Sequence, residues 1–153
     1  MEIKQVPAND PAAAALDAAL RDEVEARYAG SDGGETGSPL ADAVEPDSVV
    51  LLAYAGGDAI GVGALGELGP RIAEIKRMYV SPASRGSGVA TLLPLLLEEL
   101  ENRARERGFE LVRLDTRDRL AEAIRIYRAA GYREIPDYNG NPRVNRWFEK
   151  RLA

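Results

Sequence analysis

The sequence predicts an α/β fold, more specifically an α+β domain in which helices cover one mixed sheet. Seven short segments have the apolar or alternating pattern of strands, and three longer segments have the apolar spacing of helices. Their order is β-α-(α)-β-β-β-α-β-α-β-β. Antiparallel hairpins in that order surround one strand–helix–strand crossover, so antiparallel and parallel pairs should share the sheet.

The first two elements are a short strand and an Ala-rich helix. Residues 2–6 have a β-branched residue near each end and stop at a proline, which favours a strand. Asp10 can cap a helix whose first turn holds Pro11. Leu16, Ala19, Leu20 and Val24 then share one face, and the helix should end near residue 28.

A hairpin and a third strand form the centre of the chain. Residues 30–48 are rich in Gly, Ser, Pro and acid and predict a loop, within which a short helix begins near Ser38. The apolar runs 49–54 and 59–65 are joined by a Gly-rich turn, which predicts a hairpin. Residues 72–80 form the next strand.

The longest helix is predicted over residues 88–107, ended by Gly108. Its core face is defined by residues at helical spacing: Val89, Leu92, Leu93, Leu96, Leu100 and Ala104. Pro94 removes one backbone hydrogen bond and should kink this helix.

The last third contains three strands and one helix. Residues 111–115 predict a strand, and residues 120–130 a helix closed by a glycine. Residues 132–135 and 147–152 are the last two strands, and they flank a loop over 136–145.

Length and charge limit the functions open to the chain. Its 153 residues favour one domain, 1–153. The net charge of −5 would be repelled by phosphate backbones, so nucleic acid is not an expected partner. No apolar run approaches the roughly 20 residues of a membrane span, and the first residues lack the pattern of a signal peptide. We therefore expect a cytoplasmic protein that does not act at a membrane.

The composition also restricts the chemistry. The chain has no Cys and no His, which excludes thiolate nucleophiles, imidazole bases and the usual zinc ligands. Acid–base catalysis must then use Glu, Asp, Tyr, Lys or the backbone. No segment has the spaced acidic pattern of a calcium loop, so we expect no metal.

One loop has the pattern of an anion site. After the strand 72–80, the loop Arg85-Gly86-Ser87-Gly88 opens the long helix. Glycines allow close approach of the backbone, and the first-turn N–H groups of a helix attract anions. An ordinary solvated helix start fits this bare pattern equally well. The residues after the second glycine, Val89-Ala90, do not match a P-loop, and the position after four strands does not match a dinucleotide fingerprint.

Three motifs in this order resemble the GNAT superfamily of N-acetyltransferases. Residues 85–90 match its cofactor motif Gln/Arg-x-x-Gly-x-Gly/Ala, and residues 73–80 look like its central strand. Residues 123–132, with their Ala, Tyr and Gly-aromatic elements, resemble a later signature. The segments 135–142 and 147–150 are similar to a large bacterial subgroup of mostly unassigned substrate.

The resemblance implies a site for acetyl-CoA. In that family the backbone of Met78, Tyr79 and Val80 would pair with the pantetheine arm like an added strand. The pyrophosphate would be bound by the amides of Arg85, Gly86, Ser87, Gly88, Val89, Ala90 and Thr91.

The resemblance also implies two catalytic residues. Glu74 lies on the central strand, where it could remove a proton from an ammonium acceptor, or it could be a structural partner of Lys76 or Arg77. Tyr127 could protonate the thiolate that leaves. Its spacing alone would make it a core residue packed with Ala123 and Ile124. Many relatives carry an Asn seven residues before this tyrosine, where this chain has Leu120.

These observations predict transfer of acetyl from acetyl-CoA to a primary amine of a small molecule, by direct attack in a ternary complex. The alternatives are a non-catalytic CoA-binding sensor, an enzyme that acetylates a protein or peptide amine, and an apolar-ligand module. The segment 32–47 has five acidic residues and no basic one, and either attracts a cationic amine or is a solvated loop. A homodimer is left open.

Overall fold

The computed structural model describes residues 1–27, 38–82, 89–118 and 121–152. Its elements in chain order are β1 (Glu2–Val6), α1 (Pro11–Arg27), α2 (Leu40–Ala43), β2 (Val49–Ala55), β3 (Asp58–Gly69), β4 (Ile72–Val80), α3 (Val89–Glu106), β5 (Leu111–Thr116), α4 (Ala121–Ala129), β6 (Arg133–Ile135) and β7 (Arg146–Arg151). The predicted order is confirmed, and most boundaries lie within one residue of the predicted ones. The exception is β3, which continues beyond the predicted end at residue 65 because its last residues still pair with β4.

The strands form one seven-stranded mixed sheet in the order β1-β2-β3-β4-β5-β7-β6. Strands β4 and β5 are parallel, and the other neighbouring pairs are antiparallel. The parallel pair is joined by α3, because parallel neighbours require a crossover connection. The expectation of a mixed sheet with one crossover is therefore confirmed.

Helices cover both faces of the sheet, and β2 shows this most directly. Its alternate side chains enter two different apolar clusters, as expected for a strand buried on both faces. The cluster beneath α1 and α2 contains Ala13, Leu16, Leu40, Val50 and Leu52. The cluster beneath α3 and α4 contains Val49, Leu51, Leu96, Leu100 and Tyr127.

The long helix α3 packs with the face that its sequence predicts. Leu92, Leu93, Leu96, Leu100 and Ala104 are all buried. The helix runs as one element through Pro94 and is followed by Gly108 at φ +85°, the left-handed conformation that commonly ends helices. None of the helices in the described ranges combines the length and apolarity that crossing a bilayer requires.

Candidate active site

Strands β4 and β5 pair at their beginning and then separate. Their parallel register joins Ile72 to Leu111 and ends with Glu74 opposite Arg113. Strand β4 nevertheless continues to Val80 and β5 to Thr116. The two strands therefore enclose a wedge whose edges are not paired with each other, and such edges can receive an extended ligand through main-chain hydrogen bonds.

A β-bulge lies in β4 along this wedge. Val62 of β3 pairs with Tyr79, and Ala64 pairs with Lys76, so two residues of β4 face one residue of β3. One of the two is Arg77, which has φ +60°. This conformation is strained for a residue with a side chain, so the surrounding contacts must hold it.

The contacts that hold the bulge converge on the buried Asp17 of α1. Its Oδ1 accepts a hydrogen bond of 3.0 Å from Arg77 Nη1. Its Oδ2 accepts bonds from Arg21 Nε at 3.2 Å and from the backbone N–H of Leu40 at 3.0 Å. One carboxylate therefore fixes α1, the start of α2 and the bulge together. Arg77, which the sequence offered as a partner for Glu74, pairs with Asp17 instead.

The wedge opens into a cleft of about 810 Å³. Its walls come from α1, β4, the end of β5, α4 and the loop between β6 and β7 (the β6–β7 loop, residues 136–145). The residues that line it include Glu74, Met78, Tyr79, Val80, Asp115, Tyr127 and Arg143.

Tyr127 lines this cleft although most of its ring is buried. Its ring centroid lies 6.0 Å from that of Tyr132 and 6.2 Å from that of Phe148, and both ring pairs are tilted. Burial and then the negative charge of Asp115 raise the pKa of Tyr127 to about 12. The hydroxyl therefore keeps its proton at neutral pH, as a proton donor requires.

Glu74 is held by two neighbours. Its Oε2 accepts a hydrogen bond of 2.7 Å from the hydroxyl of Tyr138, and its Oε1 lies 3.7 Å from Lys76 Nζ. Burial, and next the carboxylate of Glu74, raise the pKa of Tyr138 well above its usual value. Tyr138 is therefore a protonated donor to Glu74.

The β6–β7 loop is fastened over the end of β5. Asn139 Nδ2 donates to Asp115 Oδ2 at 2.7 Å, and Asn139 Oδ1 accepts from Trp147 Nε1 at 3.0 Å. Farther along, the N–H of Asn145 donates to the carbonyl of Thr116 at 3.1 Å. The loop thus forms a fixed wall of the cleft.

The structure brings five of the twelve predicted site residues into this one cleft. Glu74, Met78, Tyr79, Val80 and Tyr127 all line it. Three predictions fall wholly or partly outside the described residues: the glycine loop Arg85, Gly86, Ser87 and Gly88, the substitution at Leu120, and residues 32–37 of the acidic segment. Val89, Ala90 and Thr91 form the first turn of α3. Of the acidic segment, Ser38 and Ala43 reach the cleft wall.

Sequence reasoning missed the contribution of the β6–β7 loop. It treated 136–145 as a connection, whereas Arg143 of this loop lines the cleft and Tyr138 donates a hydrogen bond to Glu74 of the lining. The concentration of Asn, Asp and Gly in this loop predicts tight turns, and these do occur at Asp137 and Asn141. No pattern along the chain connects Tyr138 to Glu74, which is 64 residues away.

Comparison with known proteins gives a consistent result. Residues 15–132 match the model of the Acetyltransferase (GNAT) family. An uncharacterized N-acetyltransferase of Schizosaccharomyces pombe is 33% identical over 113 residues, which cover 72% of this chain and 68% of that protein. The uncharacterized N-acetyltransferase YjgM of Escherichia coli is 39% identical over 85 residues, 54% of this chain and 48% of that protein. A solved structure from Klebsiella pneumoniae, assigned to the acyl-CoA N-acyltransferases, superimposes with a TM-score of 0.78 at 28% identity, covering 99% of this chain and 97% of that one.

Proposed function

The chain belongs to the GNAT acetyltransferase family, and from that premise we propose that it transfers acetyl from acetyl-CoA to a primary amine of a small molecule. Attack is direct, within a ternary complex. The observation that carries the proposal is the wedge between β4 and β5, with Glu74 and Tyr127 on the cleft into which it opens.

The wedge suits the extended arm of acetyl-CoA. Beyond Glu74 the edge of β4 faces the cleft over residues 75–80, a length of roughly 20 Å at the rise of a strand. Met78, Tyr79 and Val80 of this edge would bind the arm through their backbone. The first turn of α3 and the glycine loop before it would hold the pyrophosphate. The bound cofactor supplies the acetyl group as a thioester.

Two side chains of this cleft then move protons. Glu74 takes the proton that an ammonium acceptor must lose before its nitrogen can attack, directly or through a water molecule. Tyr127 donates its hydroxyl proton to the departing sulfur, where a donor offsets the negative charge. The bond from Tyr138 orients the Glu74 carboxylate and leaves its second oxygen toward Lys76.

A panel of amines tests the activity, with release of free CoA thiol as the measurement. We expect thiol release that depends on both acetyl-CoA and one class of small amine. Tight CoA binding without turnover on any amine would instead favour a sensor. Turnover confined to peptide or protein amines would favour the other alternative, and neither CoA binding nor turnover would overturn the family function for this chain.

The cofactor loop is tested by Gly88→Asp. A carboxylate placed beside the pyrophosphate adds repulsion and a side chain where the backbone should approach, so CoA affinity should fall by at least about a hundredfold. Calorimetry with CoA measures this. Gly69→Asp is the matched control because no atom lies within 4 Å of an added Cβ there. Equal affinity of the folded Gly88→Asp variant and the wild type would contradict the assignment.

A further inference from the structure

The guanidinium of Arg143 has no partner in the part of the chain that the structure describes. Arg143 lines the cleft, and its Nε is buried without a hydrogen-bond acceptor. No described carboxylate forms an ion pair with it. A buried N–H of a charged group raises the free energy of the folded state when it has no acceptor. This guanidinium is therefore a candidate binding group for an anion.

The other charges of the cleft contrast with Arg143. Arg77 and Arg21 pair with Asp17, which leaves neither for a ligand. Among the acids, Asp115 accepts from Asn139 and Glu74 accepts from Tyr138. The described lining holds six Arg or Lys and four Asp or Glu, although acids outnumber bases in the whole chain. Since Arg21 and Arg77 are neutralised by Asp17, Arg143 differs from them as a cation of the lining that no described carboxylate neutralises.

The backbone around Arg143 is fixed before any ligand binds. Its own N–H donates to Asn141 Oδ1 at 3.0 Å. Earlier in the loop, the N–H groups of Asn139 and Gly140 donate to Asp137 Oδ1 at 2.9 and 2.7 Å. A loop whose backbone is already ordered loses little further backbone freedom on binding, so more of the interaction energy contributes to affinity.

We propose that Arg143 binds a carboxylate of the acceptor, so that the acceptor is an amine that also carries a carboxylate, as a free amino acid does. This inference rests on the proposed acetyl transfer and names its substrate class. The planar guanidinium matches a carboxylate through two parallel hydrogen bonds. The loop that carries Arg143 also carries Tyr138, which donates to the proposed base Glu74, so one loop connects the proposed carboxylate site with the proposed base.

The competing anion is a phosphate of the cofactor, and the position of the loop favours the acceptor. The β6–β7 loop is attached to Glu74 through Tyr138 and to Thr116 through Asn145. The proposed phosphate site follows Val80, at the far end of β4. Replacement of Arg143 should lower CoA affinity if this residue binds a cofactor phosphate. It should leave CoA affinity unchanged if this residue binds the acceptor.

The test compares each standard amino acid and β-alanine with its primary amide and with the amine that lacks the carboxyl group. The ammonium of an amide loses its proton more easily, so chemistry alone would favour the amide. Wild-type kcat/KM should nevertheless be about tenfold to a hundredfold higher for the carboxylated member of the preferred set, the usual effect of a hydrogen bond to a charged group. Arg143→Met should remove this preference mainly through KM, with CoA affinity unchanged. Arg143→Lys should restore part of it.

Arg146→Met is the matched control, because Arg146 lies nearby but pairs with Glu134 outside the cleft lining. It should keep the preference. Binding of the same compounds to CoA-saturated protein is measured by calorimetry, which separates this inference from the transfer reaction. Carboxylate binding that depends on Arg143 without turnover would support the inference and contradict the proposed activity. Turnover or binding indifferent to the carboxylate, or loss of CoA affinity in Arg143→Met, would overturn the inference.

Discussion

Tyr127 combines two environments within one side chain. Its ring packs against Tyr132 and Phe148 in the core, and the residue also lines the cleft, with no hydrogen bond from its hydroxyl to any described residue. The helical spacing of α4 explains why the ring is buried. That spacing does not require a hydroxyl, whereas a position on the cleft gives the hydroxyl a role. The core role and the proton-donor role, which the sequence set against each other, are therefore compatible.

Replacing Tyr127 with Phe separates the two roles. The ring and its packing remain, so the melting temperature should change little, and CoA affinity should be almost unchanged. Loss of the proton donor should lower kcat about a hundredfold, the usual contribution of general acid catalysis. Turnover and thermal midpoint are measured on one preparation. Full activity with a lowered midpoint would show that Tyr127 acts only in the core.

Glu74→Gln tests the proposed base. The amide oxygen can still accept from Tyr138, so the variant should keep the local structure. Its rate should be lowest at neutral pH and recover as rising pH deprotonates the amine in solution, because the missing step is then performed by water. A pH–rate profile against wild type measures this. An equal loss at every pH would assign Glu74 a positioning role.

At the scale of elements, the bulge in β4 depends on a glycine in the neighbouring strand. A Cβ on Gly63 of β3 would lie 2.9 Å from Leu100 Cδ1 and 3.2 Å from Met78 Cγ. The absence of a side chain thus lets α3 pack against the sheet where the bulge bends it. Gly63 therefore contributes to the shape of the wedge although it does not line the cleft.

Gly63→Ala should destabilise the protein by about 1–3 kcal/mol, the usual effect of inserting a methyl group into a packed core. Urea unfolding measures the change. Gly69→Ala in the same strand is the control, since nothing lies within 4 Å of its added Cβ and the variant should be neutral or slightly more stable. A neutral Gly63→Ala would mean that Leu100 and Met78 move aside freely.

The elements were predictable because each has a strong local pattern. The helix face of α3 and the apolar run of β2 are periodic along the chain, and periodicity is decided locally. The bulge at Arg77 and the bond from Tyr138 to Glu74 depend on register and on contacts between distant segments. Sequence patterns do not show contacts between distant segments. Glu74 was therefore considered as the partner of Arg77, whereas its partner in the structure is Asp17, 60 residues away. The single domain 1–153 stays a prediction.

At the scale of the whole molecule, buried phenols should make the fold sensitive to alkali. Burial and Asp115 raise the pKa of Tyr127 to about 12, and burial raises that of Tyr132 and Tyr138 still further. The unfolded chain ionises these groups near the ordinary value of 10. The folded state therefore has their full contribution below pH 10 and loses it as the pH rises toward 12 and beyond. Tyr127 alone corresponds to about 3 kcal/mol.

Spectrophotometric titration of the phenolates tests this expectation. Near pH 11, at least three of the six tyrosines should remain mostly protonated in the native protein, whereas all six should ionise together near pH 10 in urea. Tyr127→Phe should remove one of the late-titrating groups. Ionisation of all six near pH 10 while the protein remains folded would contradict the buried placement.

The position of the wedge also affects whether the sheet can pair edge to edge with other copies of the chain. Unpaired strand edges invite pairing with other chains, and short outer strands reduce that hazard. The outer strands β1 and β6 have five and three residues. The two long edges that are not paired with each other face inward, on opposite walls of one cleft. An extended small molecule that pairs with such an edge occupies the place of one strand, whereas another copy's sheet would bring its neighbouring strands with it. The fold thus keeps its longest unpaired edges between two of its own strands, where an extended ligand can use them.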